Sequence, residues 1–183
     1  MHRTSLIQLL NTYFPTDSEE IVFKKDILNF INTHKDCFER TLTIGHITAS
    51  CWLVDTNNNK ALLTHHMKLN RWFQLGGHCD GNSDVLAVAL TEAREESGIN
   101  KIEPITTEIF DIDIHLIPEN SREKAHYHYD IRFILRVISD EIPILNHESK
   151  ELRWIDKSIK TLPSSERSMV RMFNKWIQIS LPS

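Results

Sequence analysis

Between Gly76 and Ile99 the chain passes from a glycine pair into a stretch in which Leu86, Ala89, Leu90 and Ala93 recur at helical spacing, and that stretch ends on Glu92, Glu95 and Glu96. Apolar residues three and four apart define one buried face of a helix. The spacing predicts a helix over Ser83–Ser97, following an irregular glycine-bearing loop over Trp72–Asp80. Ser83 or Asn82 caps its start, Asp84 suits the positive end of its dipole, and Gly98 ends it in the left-handed conformation. The same spacing sets the three glutamates side by side. Carboxylates so close repel one another unless cations occupy the space between them. Oxygen-only donors select Mg²⁺ or Mn²⁺. The competing reading is a solvated acidic face.

The remaining segments surround this helix with both periodicities. Ser5–Phe14 and Asp17–Thr33 are helical, broken by Pro15 with Thr16 as an N-cap region, and read as an α-hairpin. Past Arg40 the period becomes two. Ile47, Ala49, Cys51 and Leu53 alternate with His46, Thr48, Ser50 and Trp52, the Thr56–Asn59 turn follows, and Ala61–Thr64 pairs back. Ile109–Ile117 and His126–Ile138 form a second hairpin. A short strand around Leu152–Ile155 and an amphipathic helix from about Ser165, with Met169, Val170, Phe173, Trp176 and Ile177 inward, complete the chain.

The 183 residues suffice for one domain with a modest extension. A formal charge of −4 lacks the basic footprint of a nucleic-acid binder. Cys37, Cys51 and Cys79, an odd number without metal-finger spacing, suit packed thiols in a reducing compartment. The apolar run Leu6–Leu10 is too short for a membrane span or a signal core. The expected location is the cytoplasm, without membrane or nucleic-acid partners.

Residues Gly77–Ile99 resemble the Nudix box, G-x5-E-x7-R-E-U-x-E-E-x-G-U, where U is aliphatic. Gly77, Glu92, Ala93, Glu95, Glu96, Gly98 and Ile99 match without gaps. The resemblance extends more loosely over 45–155, and is similar to a bacterial subgroup with a GGH-x-DG loop and a helical N-terminal extension. It implies an α/β/α sandwich with a mixed sheet over 41–183 and an extension over 1–40. It also implies a metal-dependent hydrolase in which activated water attacks a diphosphate linkage. Glu92, Glu95 and Glu96 are then the Mg²⁺ or Mn²⁺ ligands, joined by the Gly76 carbonyl. Glu92, Glu96 and a loop acid, Glu148 in preference to Glu151, are the catalytic carboxylates.

Two positions depart from the pattern: Ser83 stands at the first Glu and Thr91 at the Arg. In the family these two form a buried ion pair bracing loop to helix. Losing both members strands no charge, so the brace is expected to be rebuilt, by a Ser83–Thr91 contact or by Asp80, Asp84 or Arg94.

For substrate contact the residues singled out are His46, Ser50, His78, Asp80, His115, His126 and His128. His115, His126 and His128 have the chemistry of a second metal site; a polar sheet face lining the cleft is the alternative. Trp52, Trp72 and the tyrosines offer stacking surfaces for a nucleotide-derived diphosphate, or are core. The extension covers the cleft, forms a homodimer contact or simply packs on the sheet. Three other functions are weighed: a nucleotide sensor that no longer turns over, a prenyl-diphosphate isomerase, which needs a catalytic cysteine and glutamate outside the box, a role that Cys79 inside the box loop does not suit, and a different metalloenzyme built on the histidines.

Overall fold

In the computed structural model, which describes residues 2–119, 124–147 and 149–180, an α-hairpin precedes the sheet as the periodicity predicts. Helix α1 spans Thr4–Thr12 and α2 spans Ser18–Thr33. Asp17, not Thr16, caps α2 by accepting the Glu19 and Glu20 amides at 2.9 and 3.0 Å. Eight strands follow: β1 Gly45–Val54, β2 Lys60–His66, β3 Arg71–Phe73, β4 Leu75–His78, β5 Ile102–Pro104, β6 Asp111–Ile117, β7 His126–Val137 and β8 Ser149–Asp156. Helix α3 (Val85–Ser97) lies between β4 and β5, and α4 (Arg167–Ile177) closes the fold.

The sheet is mixed. Its central pair, β1 and β7, runs parallel in register from Gly45–Tyr127 to Val54–Arg136. The other pairings are antiparallel: β4 and β2 share the free edge of β1, β6 and β5 share that of β7, and β8 and β3 flank β2. Residues paired in register share a face. One face carries Ile47, Ala49, Cys51, Leu53, Ile112, Ile131 and Phe133. It packs against Leu6, Leu10, Ile27, Phe30 and Ile31 of the hairpin and Val85, Val88, Ala89 and Ala93 of α3 in one core. On the other face Trp52, Val54, Ile134 and Ile155 meet Met169, Met172, Phe173 and Trp176 of α4 in a second core. The layers are those of an α/β/α sandwich.

Three further expectations are corrected. The segment 71–78 is two strands rather than an irregular loop, because β1 supplies the hydrogen-bond ladder for β4 from Thr48–His78 to Cys51–Leu75. Helix α3 starts two residues late and is capped by Asp84, whose carboxylate accepts the Ala87 amide at 3.0 Å. In α4 Ile177 points outward, and the cations Arg171 and Lys175 point inward with the apolar stripe. None of the described helices is long and apolar enough to cross a membrane.

Candidate functional site

Two of the three predicted glutamates, Glu92 and Glu96, lie against the glycine strand. Gly76 pairs with Ser50 so closely that a Cβ there would lie 2.2 Å from the Ser50 Cβ. That approach turns its amide to Glu96, whose Oε2 accepts it at 2.9 Å. At Gly77 a Cβ would lie 2.5 Å from the carboxyl carbon of Glu92. Glu92 and Glu96 are half-buried at this strand and Glu95 is exposed one position earlier on the helix. Gly77 therefore lets Glu92 reach the backbone where any side chain would push it away, while Gly76 permits the close pairing with β1. Gly98, with φ 71°, ends the helix as expected. Glu148 lies outside the described residues, and Glu151 is exposed and paired with Arg153 at 2.8 Å.

The loop between β4 and α3 has a brace, and it comes from a segment the sequence reading did not implicate. Asp80 and Gly81 both have left-handed backbone, with φ of 47° and 83°. The Arg40 guanidinium grips the Asp80 carboxylate with two nitrogens, and the Gly81 amide donates to the Phe38 carbonyl at 3.0 Å. This hydrogen-bonded Arg40 holds the Asp80 carboxyl below its ordinary pKa despite some burial. The other proposed substitutes are engaged elsewhere. The Thr91 hydroxyl donates to the Ala87 carbonyl of its own helix, Asp84 is the cap, and Arg94 binds the Asn100 and Ile102 carbonyls. Asp80 thus holds the geometry of this loop through Arg40.

The polar sheet face does converge. His46, His78, His115, His126 and His128 gather on β1, β4, β6 and β7, with ring centroids 4.8–5.4 Å apart along the contacts His46–His78, His46–His126, His46–His128, His78–His128, His126–His128 and His115–His128. Burial, reinforced by the neighbouring rings, pulls the His46 pKa down to about 4 and that of His128 to about 2. Beyond them the face becomes a charged lattice. Ser50 donates to Asp130 at 2.7 Å, as do Thr48 at 3.0 Å, Gln74 at 3.2 Å and Arg132 at 2.7 Å. Ser50 is thereby tied to a buried carboxylate.

Three of the aromatic residues have partners of their own. Trp52 is fully buried core, Tyr129 stacks on Phe30 at 3.9 Å, and Trp72 stacks on His65 at 4.9 Å with the Arg153 guanidinium 4.3 Å from its ring centre. Cys79 is buried in the core, and burial raises its thiol pKa, which suits a packed rather than a reactive cysteine. Arg40, Gln74, Arg171 and Lys175 escaped the sequence reading. Only the last pair left a signal: two cations four apart on an otherwise apolar helix stripe.

No protein-family model matches the sequence, and no curated protein does either. Solved structures do. A hydrolase of the NUDIX family from Clostridium perfringens is 24% identical with a TM-score of 0.51, covering 72% of this chain and 96% of its own. RenU, a Nudix hydrolase from M. smegmatis, is 18% identical with a TM-score of 0.55, covering 76% and 91%. A UDP-X diphosphatase is 15% identical with a TM-score of 0.53, and its match spans 97% of this chain, helical extension included, and 92% of its own. What these likenesses establish is architecture: this chain has the Nudix fold.

Proposed function

We propose that the protein hydrolyses a diphosphate linkage in a nucleoside diphosphate derivative, with Mg²⁺ or Mn²⁺ held by Glu92, Glu95, Glu96 and the Gly76 carbonyl. The observation that carries this reading is the approach of Glu92 and Glu96 to the Gly76–Gly77 backbone. The donor set fits a hard divalent cation: it is all oxygen, two of its carboxylates are half-buried, and the glycines leave no side chain between helix and strand. When bound, such an ion screens phosphate charge and acidifies water. The chain's own part is position. The Gly76 amide orients Glu96, the Arg40–Asp80 grip fixes the loop leading into α3, and Asp84 fixes the first turn of the helix. Glu148 is the proposed general base on its place in the sequence. The names of the similar structures, a UDP-X diphosphatase and a dihydroneopterin triphosphate pyrophosphohydrolase among them, support a nucleotide-like diphosphate as substrate.

The test is a chromatographic screen of nucleotide sugars, dinucleotides and nucleoside triphosphates with Mg²⁺, Mn²⁺ or EDTA. Turnover with metal and none with EDTA is expected, together with a loss of about 100-fold or more in Glu96→Gln. Tight binding of one compound without turnover would replace the hydrolase with a ligand-binding protein.

A further inference from the structure

We propose that His46, His78 and His128 form a second metal site, on the sheet face opposite α3, that takes a borderline transition-metal ion such as Zn²⁺. Each offers a ring nitrogen, and the three nitrogens lie within 4.8 Å of one another. They come from three adjacent strands. His46 of β1 stands in register beside His128 of β7, and His78 of β4 pairs two residues along β1, at Thr48. Neighbouring strands hold the three rings on one face without any loop having to order.

A second observation is independent of that spacing. His46 is 2% exposed, and neither of its ring nitrogens has a hydrogen-bond partner among the described residues. The Leu42 backbone makes a marginal contact with the ring, one that falls short of a well-formed hydrogen bond. A buried polar ring with both nitrogens unmet is uncommon in folded proteins and calls for a ligand. Its surroundings are other imidazoles, which share the same ligand chemistry.

The flanking histidines are already oriented. His126 Nδ1 donates to the Lys124 carbonyl at 2.8 Å, which leaves the lone pair on Nε2, and that atom lies 3.3 Å from His128 Nε2. His115 Nδ1 donates to Asp113 Oδ2 at 3.1 Å. Neither ring is one of the three ligands; these bonds fix the imidazoles that wall the site. In a tetrahedral site with metal–nitrogen bonds of about 2.1 Å, ligand nitrogens stand roughly 3.4 Å apart. The 3.3 Å between His126 Nε2 and His128 Nε2 shows that rings on this face already approach that closely, and the three ligand nitrogens, now within 4.8 Å of one another, have to draw together when an ion binds. Nitrogen donors select Zn²⁺ or Co²⁺ over the hard ions suited to the glutamates, so the two sites differ in the metal they take. Three imidazoles leave a fourth position open for water or an anionic oxygen.

The test needs no enzymatic activity. The intact protein is stripped with chelator and titrated with Co²⁺ and with Zn²⁺, following visible absorption and bound metal per chain. The expected result is about one ion per chain with the ligand-field bands of four-coordinate nitrogen-bound Co²⁺. His128→Gln and, at a second half-exposed position, His78→Gln should each weaken that binding about 100-fold. Glu92→Gln/Glu96→Gln should keep both the bands and the affinity. Circular dichroism confirms that each variant is folded. Absence of the bands in the wild type, or their survival in both histidine variants, would overturn the site. So would their loss in the glutamate variant.

Discussion

Gly76 and Gly77 are adjacent, yet alanine at each tests a different thing. At Gly76 the added methyl meets the Ser50 Cβ and the Ser50 Cα, 2.2 and 2.6 Å away, so one of two paired strands must move. Overpacking of that kind costs about 1–3 kcal/mol, and Gly76→Ala should melt well below the wild type. At Gly77 the methyl meets only the end of the Glu92 side chain, at 2.5–2.6 Å. A flexible side chain yields more cheaply than backbone, so Gly77→Ala should stay within about 1 kcal/mol of wild-type stability. The displaced carboxylate is the one assigned to the metal, and metal-dependent turnover should fall by orders of magnitude. Thermal melts alongside turnover assays separate the two effects. Full activity in Gly77→Ala would detach Glu92 from the chemistry.

Helix α3 shows what local sequence reveals and what it leaves undecided. Its apolar stripe, its glutamates and its Gly98 terminus were all legible, because each depends on residues within a turn or two of one another. The start was read two residues early. Asn82, Ser83 and Asp84 are all good capping types, and the choice is made by the Asn82 side chain accepting the Asp84 amide at 3.0 Å while Val85 and Val88 enter the core. Strand β4 went unread for a related reason. Leu75, Gly76, Gly77 and His78 have little strand propensity of their own, and β1 imposes the strand on them. The Arg40–Asp80 grip spans forty positions and has no local signature. The histidines were visible on their alternating strands, but the trio singled out was His115, His126 and His128. The parallel pairing of β1 with β7, which brings His46 into the group, is a tertiary fact. Because Asp84 is now the identified cap, Asp84→Ala should cost about 0.5–2 kcal/mol in chemical denaturation, and Asp84→Asn should recover most of it.

At the scale of the whole molecule, one buried charge network joins the helical extension, the sheet and the closing helix. Asp111 of β6, fully buried, accepts Arg132 of β7 at 3.1 Å, Arg171 of α4 at 2.8 and 2.9 Å, and Lys175 at 2.9 Å. Arg171 continues to Glu19 at 3.0 Å, and Lys175 to Glu20 and to the Tyr13 hydroxyl, so α4 is tied to the hairpin through the same two cations. Burial by itself would raise the Asp111 pKa. The Arg171 hydrogen bonds and the charges of Arg132 and Lys175 outweigh it and hold the carboxyl below the ordinary 3.8. A folded pKa below the unfolded one means that the unfolded chain takes up protons first as pH falls. The contribution of Asp111 is therefore complete above pH 3.8 and is lost progressively below it. Asp111→Asn leaves two buried cations short of their shared counter-charge, a change that costs about 3–5 kcal/mol. Its melting temperature should lie furthest below the wild type near neutral pH. The gap should narrow as the pH drops below 3.8, where the unfolded wild-type chain binds the proton, and close once the folded carboxyl is also protonated at still lower pH. Melting curves of both proteins from pH 7 to pH 2 measure this directly. A gap that stays constant across the range would assign Asp111 a role through shape and hydrogen bonding alone, with the charge contributing nothing to the attachment of α4.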